Sequence, residues 1–186
     1  MKKGLLIIYS GPSGVGKGTV REHFMHDEQL NLMYSISMTT RKPRKDEVLD
    51  QDYFFVSEDE FKNAIDHNEL LEYASFVGNY YGTPKAYVEA KRNEGYNVIL
   101  EIEVEGARQI MKNSDDHLSI FLLPPSMQEL ENRIRNRKTE PEEIIQKRLN
   151  KAMSELDVQK EYDYIICNTT PEQAAEEIRA IIKNNL

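Results

Sequence analysis

The strongest constraint on what this chain can fold into lies near its start. An apolar run over residues 4–10 (GLLIIYS) breaks abruptly into GPSGVGKGT, Gly11 to Thr19, and a polar stretch with helical character follows from Lys17 to about Glu28. Gly11 to Lys17 fits the G-x-x-x-x-G-K spacing of a phosphate-binding loop. Glycines at 11, 14 and 16 let successive backbone N–H groups converge on phosphate oxygens. Lys17 opens the helix, so its ammonium and the helix N-terminus act on the same anion. A loop that merely joined a strand to a helix would need neither three glycines nor a lysine in that register. The whole of Gly11, Pro12, Ser13, Gly14, Val15, Gly16, Lys17, Gly18 and Thr19 is therefore read as a polyphosphate cradle. One position departs from the general pattern: Gly18 stands where Ser or Thr would touch Mg²⁺, with Thr19 next. Mg²⁺ dehydrates reluctantly, so an ion here is expected to be held mainly by phosphates and water.

The rest of the chain repeats the opening rhythm. Apolar runs at 97–102, 118–123 and 164–167 are each followed by helical segments, at 104–113, 126–138 and 171–183. Short continuous apolar runs alternating with helices predict an α/β fold with a mostly parallel sheet flanked by helices. The stretch 31–95 reads differently, with turn signals at Lys42-Pro43, Gly78-Asn79 and Gly82-Thr83-Pro84. It predicts an inserted lobe of short strands, with a helix at 57–67 opened by a Ser57–Glu60 capping box and a return helix at 85–94 ended by Gly95. Tyr80 and Phe76 are expected in the core of that lobe, and Cys167 is read as a small buried hydrophobe on the last strand. The expected organisation is one domain over 1–186: a core of about 1–33, 85–132 and 149–186, a lobe of about 34–84, and a helical lid of about 133–148.

Composition narrows the partners. The formal net charge of −8 argues against a nucleic acid polymer or an acidic membrane. No apolar stretch approaches the ~20 residues of a membrane span. The opening apolar run is also shorter than a secretory h-region of roughly 7–15 residues. With a single cysteine, Cys167, no internal disulfide or thiolate metal cage can form. The expectation is a cytoplasmic protein. Oligomeric state is not legible.

Against that acidic background two basic clusters stand out: Arg41, Lys42, Arg44 and Lys45, and the group Arg133, Arg135, Arg137, Lys138 and Arg148. A charge run is commonly a solvated face, but a phosphate loop already demands neutralising charge, and arginine grips phosphates in a two-pronged geometry. Arg41, Arg44, Arg137 and Arg148, with Lys17, are the catalytic candidates. His23, His26, His67 and His117 are scattered through polar segments, and no general base stands out. A nucleotide phosphate acceptor is already an anionic nucleophile, so positioning and charge stabilisation suffice.

These residues together resemble the guanylate kinase family over nearly the whole chain. The motifs are GPSGVGKGT at 11–19, SMTTRKPR at 37–44, QDYFFV at 51–56, LEYASFVGNYYGTP at 71–84, EIEVEGA at 101–107, and the arginine segment ending in Lys147-Arg148-Leu149. The resemblance implies a P-loop core, a GMP-binding lobe and a lid closing over ATP. It also implies transfer of the γ-phosphoryl group of ATP to GMP, with Mg²⁺. It makes Arg41 and Arg44 ligands of the GMP phosphate beside Tyr53 and Tyr81, and Ser37, Glu72 and Thr83 readers of guanine. It places Arg137 and Arg148 on the transferring phosphate and Asn168 near adenine. Guanine offers N1–H and its amino group as adjacent donors, which a carboxylate such as Glu72 accepts well. Glu103 stands where the family usually has aspartate, and its contact with guanine or Mg²⁺-bound water is expected to shift accordingly. Glu101 and Glu103, two apart on a strand, face one cleft and are, with Thr19, candidates beside the ion. Lys138 stands where a glycine often follows the lid arginine. Two alternatives remain open at this point: a kinase for another acceptor base, and an inactive guanylate-kinase-like protein-binding module.

Overall fold

Five parallel strands carry the phosphate loop. A computed structural model describes residues 2–76, 78–136 and 141–186, the side chain of Phe76 excepted. In chain order it contains β1 (Leu6–Ser10), α1 (Lys17–Phe24), β2 (Leu32–Tyr34), β3 (Ser37–Thr39), β4 (Tyr53–Phe55), α2 (Glu58–Asp66), β5 (Leu70–Phe76) and β6 (Asn79–Pro84). Then come α3 (Lys85–Asn93), β7 (Asn97–Glu101), α4 (Val104–Asn113), β8 (Leu118–Leu123), α5 (Met127–Asn136), α6 (Glu142–Leu156), β9 (Tyr164–Cys167) and α7 (Pro171–Asn185). The large sheet runs β2-β7-β1-β8-β9, every neighbour parallel. The fold is α/β with helices on both faces.

β1 lies at the centre, and all five of its residues are buried. Alternation sends Ile7 and Tyr9 to one face, where they pack with Val20 and Phe24 of α1 and Ile178 and Ile182 of α7. Leu6 and Ile8 go to the other face, against Val88 of α3 and Val104, Ala107 and Ile110 of α4. Burial of both faces explains why the central strands read as unbroken apolar runs. Each such side chain contributes roughly 1.5–3 kcal/mol.

The edges behave differently. Leu32–Tyr34 joins β7 at one edge of this sheet, although three residues carry no periodicity that would announce a core strand. At the opposite edge β9 pairs with β8, and its face alternates between cover and solvent. Cys167 is therefore exposed, which corrects its reading as a buried hydrophobe.

The smaller sheet, β4-β3-β6-β5, is mixed: β3 and β4 are parallel, and β6 runs antiparallel to both β3 and β5. Its core is Phe61, Ala64 and Leu70 with Met38, Val56, Ile65 and Tyr80 around them, and Tyr80 stacks on Phe61 at 5.3 Å between ring centroids. The capping box at Ser57 closes in both directions, Glu60 N–H to Ser57 Oγ at 3.2 Å and Ser57 N–H to Glu60 Oε2 at 2.7 Å. α5 and α6 form a hairpin with its own apolar seam of Leu130, Ile134, Ile145, Leu149 and Ala152. The two helices overrun the stretch 133–148 on both sides. Among the described residues no helix is long and apolar enough to cross a membrane.

Candidate active site

The loop between β1 and α1 lies at the carboxyl edge of the large sheet, where open parallel sheets bind ligands. It borders a cavity of about 390 Å³, lined by Gly11, Ser13, Gly14, Gly16, Lys17, Gly18 and Thr19 and closed by Glu101, Ile102, Glu103 and Glu155. Pro12 and Val15 are buried beneath it. Gly16 caps α1 at φ 97°, a left-handed conformation, and a Cβ there would stand 2.9 Å from Asn168 Nδ2. Lys17 Nζ donates to Gly11 O at 2.7 Å and Pro12 O at 3.3 Å. Burial holds the Lys17 pKa below its ordinary value, opposed chiefly by the charge of Glu101 and then of Glu155 and Glu103.

Three side chains from distant segments grip this loop. Val15 O accepts from Asn168 Nδ2 at 2.8 Å and from Arg133 Nη1 at 3.1 Å. Ser13 Oγ lies 3.0 Å from Arg148 Nη2. Asn168, expected beside adenine, is only 2% exposed, so the structure puts its amide behind the loop as a brace. Arg133 is the second brace. Sequence reasoning grouped it with the lid arginines, and no local spacing distinguishes it from them. Arg135 bridges the hairpin instead, pairing with Glu131 of α5 and Glu142 of α6 at 2.7 Å each. Arg137 and Lys138 lie outside the described residues.

A second cavity, of about 430 Å³, opens between the two sheets and is lined by Ser37, Tyr53, Glu72, Tyr81 and Glu103 among others. Glu72 is 8% exposed, and burial raises its pKa above the ordinary carboxylate value, opposed by a hydrogen bond from Thr83 and assisted by the charge of Glu103. Thr83, itself buried, donates from Oγ1 to Glu72 Oε1 at 2.6 Å. It thus holds the carboxylate rather than facing the cavity. Gly106 lies against the same carboxylate: a Cβ there would come within 2.6 Å of Glu72 Oε2. The sequence gives one faint sign of this, a glycine in the first turn of a helix with no turn to explain it.

The arginine pair lies at the rim. The Arg41 guanidinium stands 5.3 Å from the Tyr53 ring centroid and forms a two-pronged pair with Glu47, at 2.7 and 2.9 Å. The same carboxylate accepts the Arg44 backbone N–H at 2.7 Å, while the Arg44 residue is exposed. Glu47, which spacing alone does not single out, organises the basic loop. Arg41, and then the Arg44 N–H, pull its pKa down to about 2.

The two cavities share a wall, Glu101, Ile102 and Glu103. Glu101 ends β7 and Glu103 caps α4, so both carboxylates reach the common boundary although only one is on the strand. Glu101 Oε2 accepts from Arg21 at 2.5 Å. Glu103 Oε2 accepts from Lys151 of α6 at 2.7 Å. Lys151 also lines the second cavity and was not anticipated.

The family model for guanylate kinase matches residues 3–185. A guanylate kinase of Mesoplasma florum is 55% identical over 180 residues, covering 97% of this chain and 61% of that protein. One of Bacillus cereus is 52% identical over 181 residues, covering 97% of this chain and 88% of that protein. The chain thus spans less than two thirds of the Mesoplasma relative and most of the Bacillus one. The crystal structure of a guanylate kinase from Anaplasma phagocytophilum superposes with a TM-score of 0.72 at 31% identity, covering 100% of this chain and 87% of that one.

Proposed function

The chain belongs to the guanylate kinase family, and from that membership we propose that it transfers the γ-phosphoryl group of ATP to GMP, giving ADP and GDP. The observation that carries the reading is the wall common to both cavities. A phosphate loop on one side of Glu101–Glu103 and a buried carboxylate, Glu72, on the other suit two nucleotides meeting phosphate to phosphate.

In this reading the backbone N–H groups of 11–19 and Lys17 hold the ATP phosphates. An oxygen of the GMP phosphate attacks the γ-phosphorus in line as the bond to the β-phosphate oxygen breaks and ADP leaves. That oxygen is already anionic, so no base is needed. Arg41 and Arg44, with Tyr53 and Tyr81, take the acceptor phosphate, and Arg137 and Arg148 offset charge on the transferring group. Ser37 and Glu72 read guanine, with Thr83 fixing the Glu72 carboxylate. Residues 34–84 then act as the acceptor lobe and 133–148 as the lid.

Mg²⁺ fits the donor cavity on the chemistry of its lining: Thr19, Glu101, Glu103 and Glu155 present oxygen donors, which a hard cation prefers. Among the described residues no three carboxylate, histidine or cysteine side chains converge to cage a metal, so Thr19, Glu101 and Glu103 would meet the ion through water. When bound it supplies charge neutralisation at the β- and γ-phosphates.

The test is ADP release with GMP, AMP, UMP and CMP offered separately. Turnover is expected with GMP alone, and Lys17→Ala is expected to lower it by ~10²-fold or more. Comparable turnover with AMP would overturn the acceptor assignment. Near-normal turnover of a folded Lys17→Ala variant would overturn the donor assignment.

A further inference from the structure

The three carboxylates at the donor cavity are not equivalent. Glu101 and Glu103 each have a cation at 2.5 and 2.7 Å. Glu155 of α6 has only a longer contact with the cation that Glu103 already holds. The residue is 8% exposed, its Oε2 is buried with no hydrogen-bond partner among the described residues, and the Lys151 ammonium, already engaged by Glu103, stands 3.7 Å from Oε1. Glu155 nevertheless lines the cavity of the phosphate loop. Burial pushes its pKa up and Glu103 reinforces that, while Lys151, then the Ser13 backbone N–H and last Lys17 oppose it, the unpaired Oε2 notwithstanding.

A buried carboxylate oxygen without a donor is costly, and this one is stationed where a polyanion is to sit. A bare polyphosphate would meet it as like charge in a poorly solvated place. A polyphosphate bearing a divalent cation would bring both compensating charge and metal-bound water, whose hydrogens a carboxylate accepts. Mg²⁺ keeps several of its waters, so such a contact needs no coordination cage. The terminal torsion of a glutamate is soft, and either oxygen can turn to the donor.

We propose that Glu155 is a positioning residue that makes the phosphate-loop cavity selective for a nucleoside polyphosphate in its divalent-cation complex over the bare anion, its carboxylate accepting a hydrogen from water on the cation. The proposal rests on the reading of this cavity as the donor-nucleotide site.

Calorimetric titration with ADP, in excess EDTA and again in Mg²⁺, tests it on wild type, Glu155→Gln and Glu155→Asp. In wild type Mg²⁺ is expected to tighten binding by about tenfold or more. In Glu155→Gln metal-free ADP binds more tightly, and the ratio of the two dissociation constants falls about tenfold. Glu155→Asp keeps the charge and holds the ratio within about threefold of wild type. A merely structural glutamate would weaken both affinities together and leave the ratio unchanged in Glu155→Gln, which overturns the proposal. So does a collapsed ratio in Glu155→Asp. If Glu155→Gln fails to fold, a wild-type ratio near one still overturns it. Absence of ADP binding to wild type under both conditions would overturn the nucleotide reading and the proposal with it, a failure distinct from an unchanged ratio.

Discussion

Two carboxylates of the acceptor half show how differently one side chain type is used. Glu47 lies in a loop rich in bases, and its pKa of about 2 means that its pairing with Arg41 contributes stability above the ordinary value of 4.5, lost as pH falls through about 2. Glu72 is the reverse: burial raises its pKa. Its contribution to stability is greatest below the ordinary value and is lost as pH rises through the raised one. Burial makes its ionised form a cost, which guanine's two donors would offset under the proposed role. Glu72→Gln, which keeps an acceptor for Thr83, is therefore expected to show an unchanged or higher melting temperature near pH 7. The same variant raises KM for GMP by ~10²-fold, because an amide N–H then meets guanine's own donors. Thermal melts and GMP-dependent kinetics check both halves. In the wild type KM for GMP rises as pH falls through the raised Glu72 value, and in Glu72→Gln that acid limb is gone. A variant that melts lower and keeps its GMP affinity would refute this account. At this scale the sequence was only partly legible. Glu72 and Thr83 could be marked from their motif, but that Thr83 serves Glu72, that Glu47 holds Arg41, and that Asn168 and Arg133 meet at Val15 O are facts of long-range packing with no local period.

Among the elements, those buried on both faces were the most readable. β1, β7 and β8 are apolar throughout because helices cover both sides of the sheet, and their sequence runs match the observed strands closely. β2 was not legible, since three edge residues carry no pattern, and the exposure of Cys167 follows from β9 being an edge. The helices carry more of the site than their amphipathic patterns suggest. α6 turns Ile145, Leu149 and Ala152 to α5, Arg148 to Ser13 of the loop, and Lys151 and Glu155 to the cavities. α4 sets propensity against function. Gly106 sits in its first turns, where alanine would favour the helix by ~1 kcal/mol, yet a Cβ there would come within 2.6 Å of Glu72 Oε2. Gly106→Ala is expected to displace the Glu72 carboxylate and raise KM for GMP by about tenfold or more, with KM for ATP changed far less. Steady-state kinetics with each substrate varied in turn separates the two, and an equal loss for both would point to general damage to α4.

For the whole molecule the proposed function asks a chain of net charge −8 to gather polyanions. The positive charge that would serve this lies at the loop, the Arg41–Arg44 rim and the α5–α6 hairpin, segments far apart in sequence. The sequence showed these parts and the family to which they belong. That the loop cavity and the Glu72 cavity share Glu101–Glu103 was not visible, because it depends on how β7 ends beside β1 and how the small sheet folds back over it. If the two cavities hold the two nucleotides as proposed, the shared wall makes them one electrostatic unit, which has a thermodynamic consequence. Two separate ligands must each be brought in, and their phosphates repel across the wall. A single molecule joining adenosine and guanosine through a polyphosphate gives up its translational freedom once and carries fewer charges at the junction than two free ends. An adenosine–guanosine polyphosphate spanning both cavities is therefore expected to bind in the presence of Mg²⁺ ~10²-fold or more tightly than ADP or GMP alone. By linkage it raises the melting temperature beyond ADP or GMP alone at the same concentration. Calorimetry and thermal melts with linkers of increasing phosphate number check this. A sharp optimum in linker length locates the two sites on either side of Glu101–Glu103, and affinity independent of length would show that they do not face one another.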